Sequence, residues 1–194
     1  MCRGTALLTV ALATAAAAVA QVSRIPWLND PQQATELARQ SNRPLVFYVM
    51  ASSKDRDNNL EHAQVRAMED PRVLRLISQF VPARLSRSVH RDLLPQIGLG
   101  SAANLEMAFV APDGTRLDTL ASAGVADPDI LAQKLQLVLK AWHQRLFEQQ
   151  IRPVLDNKDA QKDELLRAVQ QIRDLRIAAA DTQVAKLLER ENLD

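Results

Sequence analysis

Residues 45–50 read Leu-Val-Phe-Tyr-Val-Met, an apolar run without alternation, which suits a central strand covered by helices on both faces. Arg43-Pro44 stands just ahead of it, and the residue before a proline is pushed out of helical space, so a preceding helix stops there. Around this strand the apolar period becomes helical. Leu60, Ala63 and Ala67 share one face of a helix expected over 58–68, with Asn58 and Glu61 at capping-box spacing. Val73, Leu74, Leu76 and Ile77 line the next helix. Helix starts are marked by Asp-Pro at 30–31, 70–71 and 127–128: the carboxylate caps free amides, and proline lacks only an N–H that the first turn leaves unpaired. The first of them opens a helix over 31–40, with Gln33 in the capping-box place.

Residues 80–85 form a second strand, and the helix-sized connection back to it implies parallel pairing. A weak helical turn over 89–95 and a loop at Gly98, Gly100 and Ser101 follow. Beyond them Leu105, Met107 and Phe109 alternate with Glu106 and Ala108, a strand with one better-buried face. Ala111-Pro112-Asp113-Gly114 is a turn sequence, so 115–120 returns antiparallel as a hairpin. A long helix over 128–150 places Ile130, Leu131, Leu135, Val138, Leu139 and Trp142 on its inner side. In the tail, Leu165, Val169, Ile172 and Leu175 recur at helical spacing, and Val184, Leu187 and Leu188 extend the pattern. Such a stripe either folds back to complete the core or docks a partner or a second copy of the chain.

The order is α-β-α-β-α-β-β-α. Together with Trp27, "RPLVFYV", "EDPRVLRLISQFVPARL" and "AFVAPDG", it resembles secreted members of the thioredoxin-like superfamily over about residues 25–145. The resemblance implies an α/β fold, a three-layer α/β/α sandwich over 21–150, with 151–194 as a C-terminal helical extension. In the redox-active members a Cys-x-x-Cys pair lies where the first central strand gives way to a helix, whose N-terminus stabilises a thiolate. The matching loop here is Ser52, Ser53, Lys54, Asp55, Arg56, Asp57 and Asn58, without a cysteine. The cis-proline that usually opens the third strand falls at Leu105. A cis bond before a residue other than proline costs ~3 kcal/mol, so a trans bond and a reshaped cradle are expected.

Composition sharpens this. The chain has one cysteine, Cys2, and it precedes an apolar run from Ala6 to Ala20. Arg3 before that run and Ala18-Val19-Ala20 before Gln21 form the three-part pattern of a signal peptide over 1–20. The run is shorter than the ~20 strongly apolar residues a membrane span needs. Cleavage would send residues 21–194 to the periplasm or the exterior without a thiol, excluding disulfide exchange. Without Arg3, the 24 basic residues become 23, equal to the 23 acidic ones, which leaves no field for nucleic acid or an anionic membrane. Neutrality favours a protein or small-molecule partner.

Other chemistry is weakly marked. Asp55 and Asp57 supply acceptors that a helix N-terminus favours as caps. The run from Asp55 begins like an EF-hand loop, but its sixth position is Leu60 and its twelfth Arg66, which removes that motif. His62, His90 and His143 lack metal-ligand spacing, and Ser52 and Ser53 lack the glycines of a nucleophile elbow. Arg84, Arg87, His90 and Arg91 form a local basic cluster. The expectation is a redox-inactive, exported binding or scaffolding module without a cofactor. Its alternative is an enzyme or metal-binding protein in which Asp55, Asp57 and Glu61 replace the thiols.

Overall fold

The computed structural model describes residues 24–50, 58–100 and 105–175, together with Ile177, Ala180 and Ala185. Its elements are α1 (Pro31–Ser41), β1 (Leu45–Met50), α2 (Asn58–Met68), α3 (Pro71–Ile77), β2 (Val81–Ser86), β3 (Leu105–Val110), β4 (Arg116–Ala121), the short α4 (Ser122–Val125) and the long α5 (Pro128–Leu146). A π-helical turn (Phe147–Ile151), α6 (Arg152–Asp156) and α7 (Lys162–Leu175) follow. The Asp-Pro caps form as the sequence dictates: Asp30 accepts from Gln32 and Gln33, Asp70 from Arg72, and Asp127 from Asp129 and Ile130. Arg43, between α1 and β1, donates to the carbonyls of Ser78 (2.5 Å), Gln79 (3.3 Å) and Phe80. One side chain thus satisfies three successive carbonyls of the connection between α3 and β2.

The sheet has four strands in the order β2-β1-β3-β4. β1 pairs parallel with β2 and antiparallel with β3, which pairs antiparallel with β4. Leu28 adds an isolated parallel bridge to Ala83 on the outer side of β2. Side chains alternate across β1. Leu45, Phe47 and Val49 pack with Ala34 and Ala38 of α1 and with Leu94, Ile97 and Leu99. Val46 and Tyr48 pack on the other face with α2, α3 and α5, through residues such as Ala67, Val73, Ile77, Leu131 and Leu135. Helices therefore flank a mixed sheet, an α/β architecture.

The structure departs from the sequence reading at several places. Over 89–95 the weak helical turn is a run of hydrogen-bonded turns, whose bonds, such as Leu94 N–H to His90 O (3.3 Å) and Ile97 N–H to Leu93 O (3.2 Å), do not join into a ladder. The long helix keeps α geometry only to Leu146, then widens so that the Arg152 N–H reaches the Phe147 carbonyl. Pro153 explains the break, since its ring crowds the carbonyl one turn earlier and it has no N–H to offer. The described part of the tail stripe packs against its own chain, while Val184, Leu187 and Leu188 lie outside the described residues. Leu165 and Ile172 are buried with Trp142, Leu146, Phe147, Ile151 and Leu155, while Val169 and Leu175 are half-buried on that cluster. As an exposed docking face for a partner or a second copy, the stripe is therefore corrected.

Among the described residues two glycines have positive φ: Gly98 at +81° and Gly114 at +88°. A Cβ at Gly98 would lie 2.3 Å from Arg116 Nη1 and 2.5 Å from its Cδ, whereas one at Gly114 would meet nothing within 4 Å. Gly114→Ala should cost only the conformational term, about 1 kcal/mol. Gly98→Ala must also displace the Arg116 side chain and should cost about 2 kcal/mol. Equal urea midpoints for the two variants would contradict this difference.

Candidate functional site

The loop singled out from sequence, Ser52 to Asp57, lies outside the described residues, and Asn58 is the first residue of α2. Leu105 opens β3 opposite Ala121, and among the described residues there is no cis peptide bond. β1 ends and β3 begins at this same end of the sheet.

The polar chemistry described here comes from residues that the sequence reading passed over. Tyr48 carries the one hydroxyl of an otherwise apolar strand and is buried, so it needs a partner. It donates to Gln64 Oε1 of α2 at 2.9 Å. The buried Gln64 amide in turn donates to Glu106 Oε2 at 2.5 Å and to the Ser122 carbonyl at 3.2 Å. One amide therefore links β1, β3 and the start of α4. Gln64 stands four residues after Leu60 and three before Ala67, on the apolar face of α2. A polar residue at that spacing was the signal that sequence could have used.

Glu106 was expected on the more open face of β3, and that expectation is corrected. Leu105 pairs with Ala121 and Met107 with Leu120, so Glu106 is an extra residue, a β-bulge. A bulge breaks the alternation and re-aims a side chain. Glu106 consequently shares the α2 side with Met107 and is 8% exposed. Burial pushes its carboxyl above the ordinary 4.5, while the Gln64 bond and the Arg87 charge oppose that rise. The result is an acid that holds its proton to higher pH than a free glutamate.

Trp27 leans on Tyr48 with ring centroids 5.7 Å apart, and the Arg84 guanidinium lies 5.5 Å from the Trp27 centroid. Arg84 Nε is buried and has no acceptor among the described residues. The predicted basic cluster is thereby divided. Arg84 stacks, Arg87 acts on Glu106, His90 Nδ1 lies 3.1 Å from the Ser86 amide, and Arg91 is exposed. Of the suggested metal acids, Glu61 is exposed in the first turn of α2, while Asp55 and Asp57 lie outside the described residues. Among the described residues no three His, Cys, Asp or Glu side chains gather as a metal site. Nor is any described helix long and apolar enough to cross a membrane.

This arrangement can hold and exchange a proton at Glu106, and it can present an aromatic face with a cation on it. It contains no thiol. No family model matches the chain, and the comparison with curated proteins finds no match.

Proposed function

We propose that this chain is an exported, thioredoxin-like protein that has lost thiol chemistry and acts as a protein-binding or scaffolding module. The observation that carries the reading is the absence of any cysteine after Cys2. The fold assignment draws support from the order β2-β1-β3-β4, with one parallel pair followed by an antiparallel hairpin and helices on both faces. Because Leu165, Val169, Ile172 and Leu175 of the tail are covered by their own chain, the contact surface is assigned to the sheet surface around Trp27, Tyr48 and Arg84. There Trp27 offers the aromatic anchor, backed by Arg84, that protein contacts favour.

A second reading makes the same surface an acid–base or metal-assisted active site. What favours it is Glu106, a buried acid with a raised pKa. One preparation separates the two. Protein recovered from the periplasm or the medium should begin at Gln21, leave insulin disulfides intact in the presence of dithiothreitol beyond the rate of the reductant alone, and carry no stoichiometric metal. Catalysed insulin reduction would refute the module reading, and bound metal lost on Asp55→Ala or Asp57→Ala would replace it with the second.

A further inference from the structure

A cleft of about 240 Å³ lies between the end of α1, the β3–β4 turn and the end of α5. Its floor is formed by Pro112, Trp142 and Leu146, all of them buried, and Arg39, Arg145 and Asp113 give it charge. A basic residue in the last turn of a helix ordinarily faces that helix's own carbonyls. Arg39 instead crosses to the turn, where its Nε donates to the Pro112 carbonyl at 3.3 Å. That bond pins the guanidinium while leaving its two terminal nitrogens without a partner among the described residues, a fork of the kind that grips a carboxylate end-on.

The other charges in the cleft cancel. Arg145 donates to Asp113 Oδ2 at 2.8 Å and to Gln149 Oε1 at 3.1 Å, so Arg39 is left as the unbalanced cation. One uncompensated positive charge selects a monoanion over a dianion, whose second charge would meet Asp113. The two glutamines and Asn42 at the rim add amide groups that can accept or donate. The π-helical turn places Gln149 and Gln150 on the cleft's edge together with Leu146, and such turns recur at functional sites.

We propose that this cleft binds a small monocarboxylate, its carboxylate on the terminal nitrogens of Arg39 above the floor that contains Trp142. The site is remote from the sheet surface considered above, and the inference does not depend on the assigned function.

The chain has two tryptophans, Trp27 and Trp142, so Trp27→Phe leaves Trp142 as the reporter. Sodium butyrate titrated into that variant, with sodium chloride exchanged to hold ionic strength constant, should change the emission saturably with a Kd in the millimolar range, which is about what one charged fork supplies. Arg39→Gln in the same background should weaken binding at least about tenfold, and Asp113→Asn, which frees Arg145, should tighten it. Inorganic phosphate under the same conditions should give no saturation. A flat butyrate titration, binding that survives Arg39→Gln, or saturation by phosphate alone would overturn the proposal.

Discussion

Ile172→Asp should lower the melting temperature by about 10 °C or abolish cooperative unfolding. Ile172 is buried in the cluster that joins α7 to the end of α5, the π-helical turn and α6. Truncating a buried isoleucine costs about 2–5 kcal/mol, and an unpaired carboxylate in its place adds a desolvation penalty. For a chain of this size each kcal/mol moves the midpoint by roughly 2–4 °C. Leu166→Asp provides the control, because Leu166 is on the same helix and 58% exposed, so its midpoint should move by no more than about 2 °C. A thermal melt in which Ile172→Asp behaves like Leu166→Asp would mean that the stripe is free to meet a partner after all.

The second large effect is expected at Gln64. Gln64→Ala removes the donor to Glu106 and the acceptor of the Tyr48 hydroxyl in one step. Leaving a buried polar group unsatisfied costs about 1–3 kcal/mol, and more when it is charged, so the midpoint at pH 8 should fall by roughly 5–10 °C. The penalty should shrink at pH 4, where Glu106 is largely protonated and only neutral groups lose partners. Glu106→Gln should act in the opposite direction. A carboxyl whose folded pKa is raised contributes stability below its unfolded value that is lost as pH climbs through the folded value, and here burial is the cause of the rise. Removing that ionisation, while keeping an oxygen for Gln64 to donate to, should raise the melting temperature by a few degrees at pH 8 and leave it unchanged at pH 4. A melt in which Glu106→Gln is less stable than the parent at pH 8 would show that the ionised carboxylate is the favoured form in the fold.

These two cases also mark the boundary of what residues reveal without coordinates. The starts of α1, α3 and α5 were readable because capping is settled within four residues: an aspartate, a proline and the amides that follow them. β1 was readable because no surface position interrupts it. The bulge at Glu106 was not, because it exists only as a mismatch between β3 and β4, and each strand alone alternates normally. With the alternation shifted, a residue assigned to the open face became the buried acid of the site. Gln64 stood on the apolar face of α2 in the sequence, yet its partners come from β1, β3 and α4, elements scattered along the chain. The Arg39–Pro112 bond of the cleft has the same origin, since the two residues are 73 apart.

The amino-acid order alone settled that no cysteine follows Cys2, since a residue type missing from a stretch of chain needs no geometry to be ruled out there, and it settled where several helices begin, since capping is local. Which face Glu106 occupies, whether the amphipathic tail meets its own chain, and which arginine keeps a free guanidinium fork were decided by tertiary structure. Each depends on distant segments meeting, and an apolar stripe or a charged side chain carries the same local signature whatever comes to lie against it.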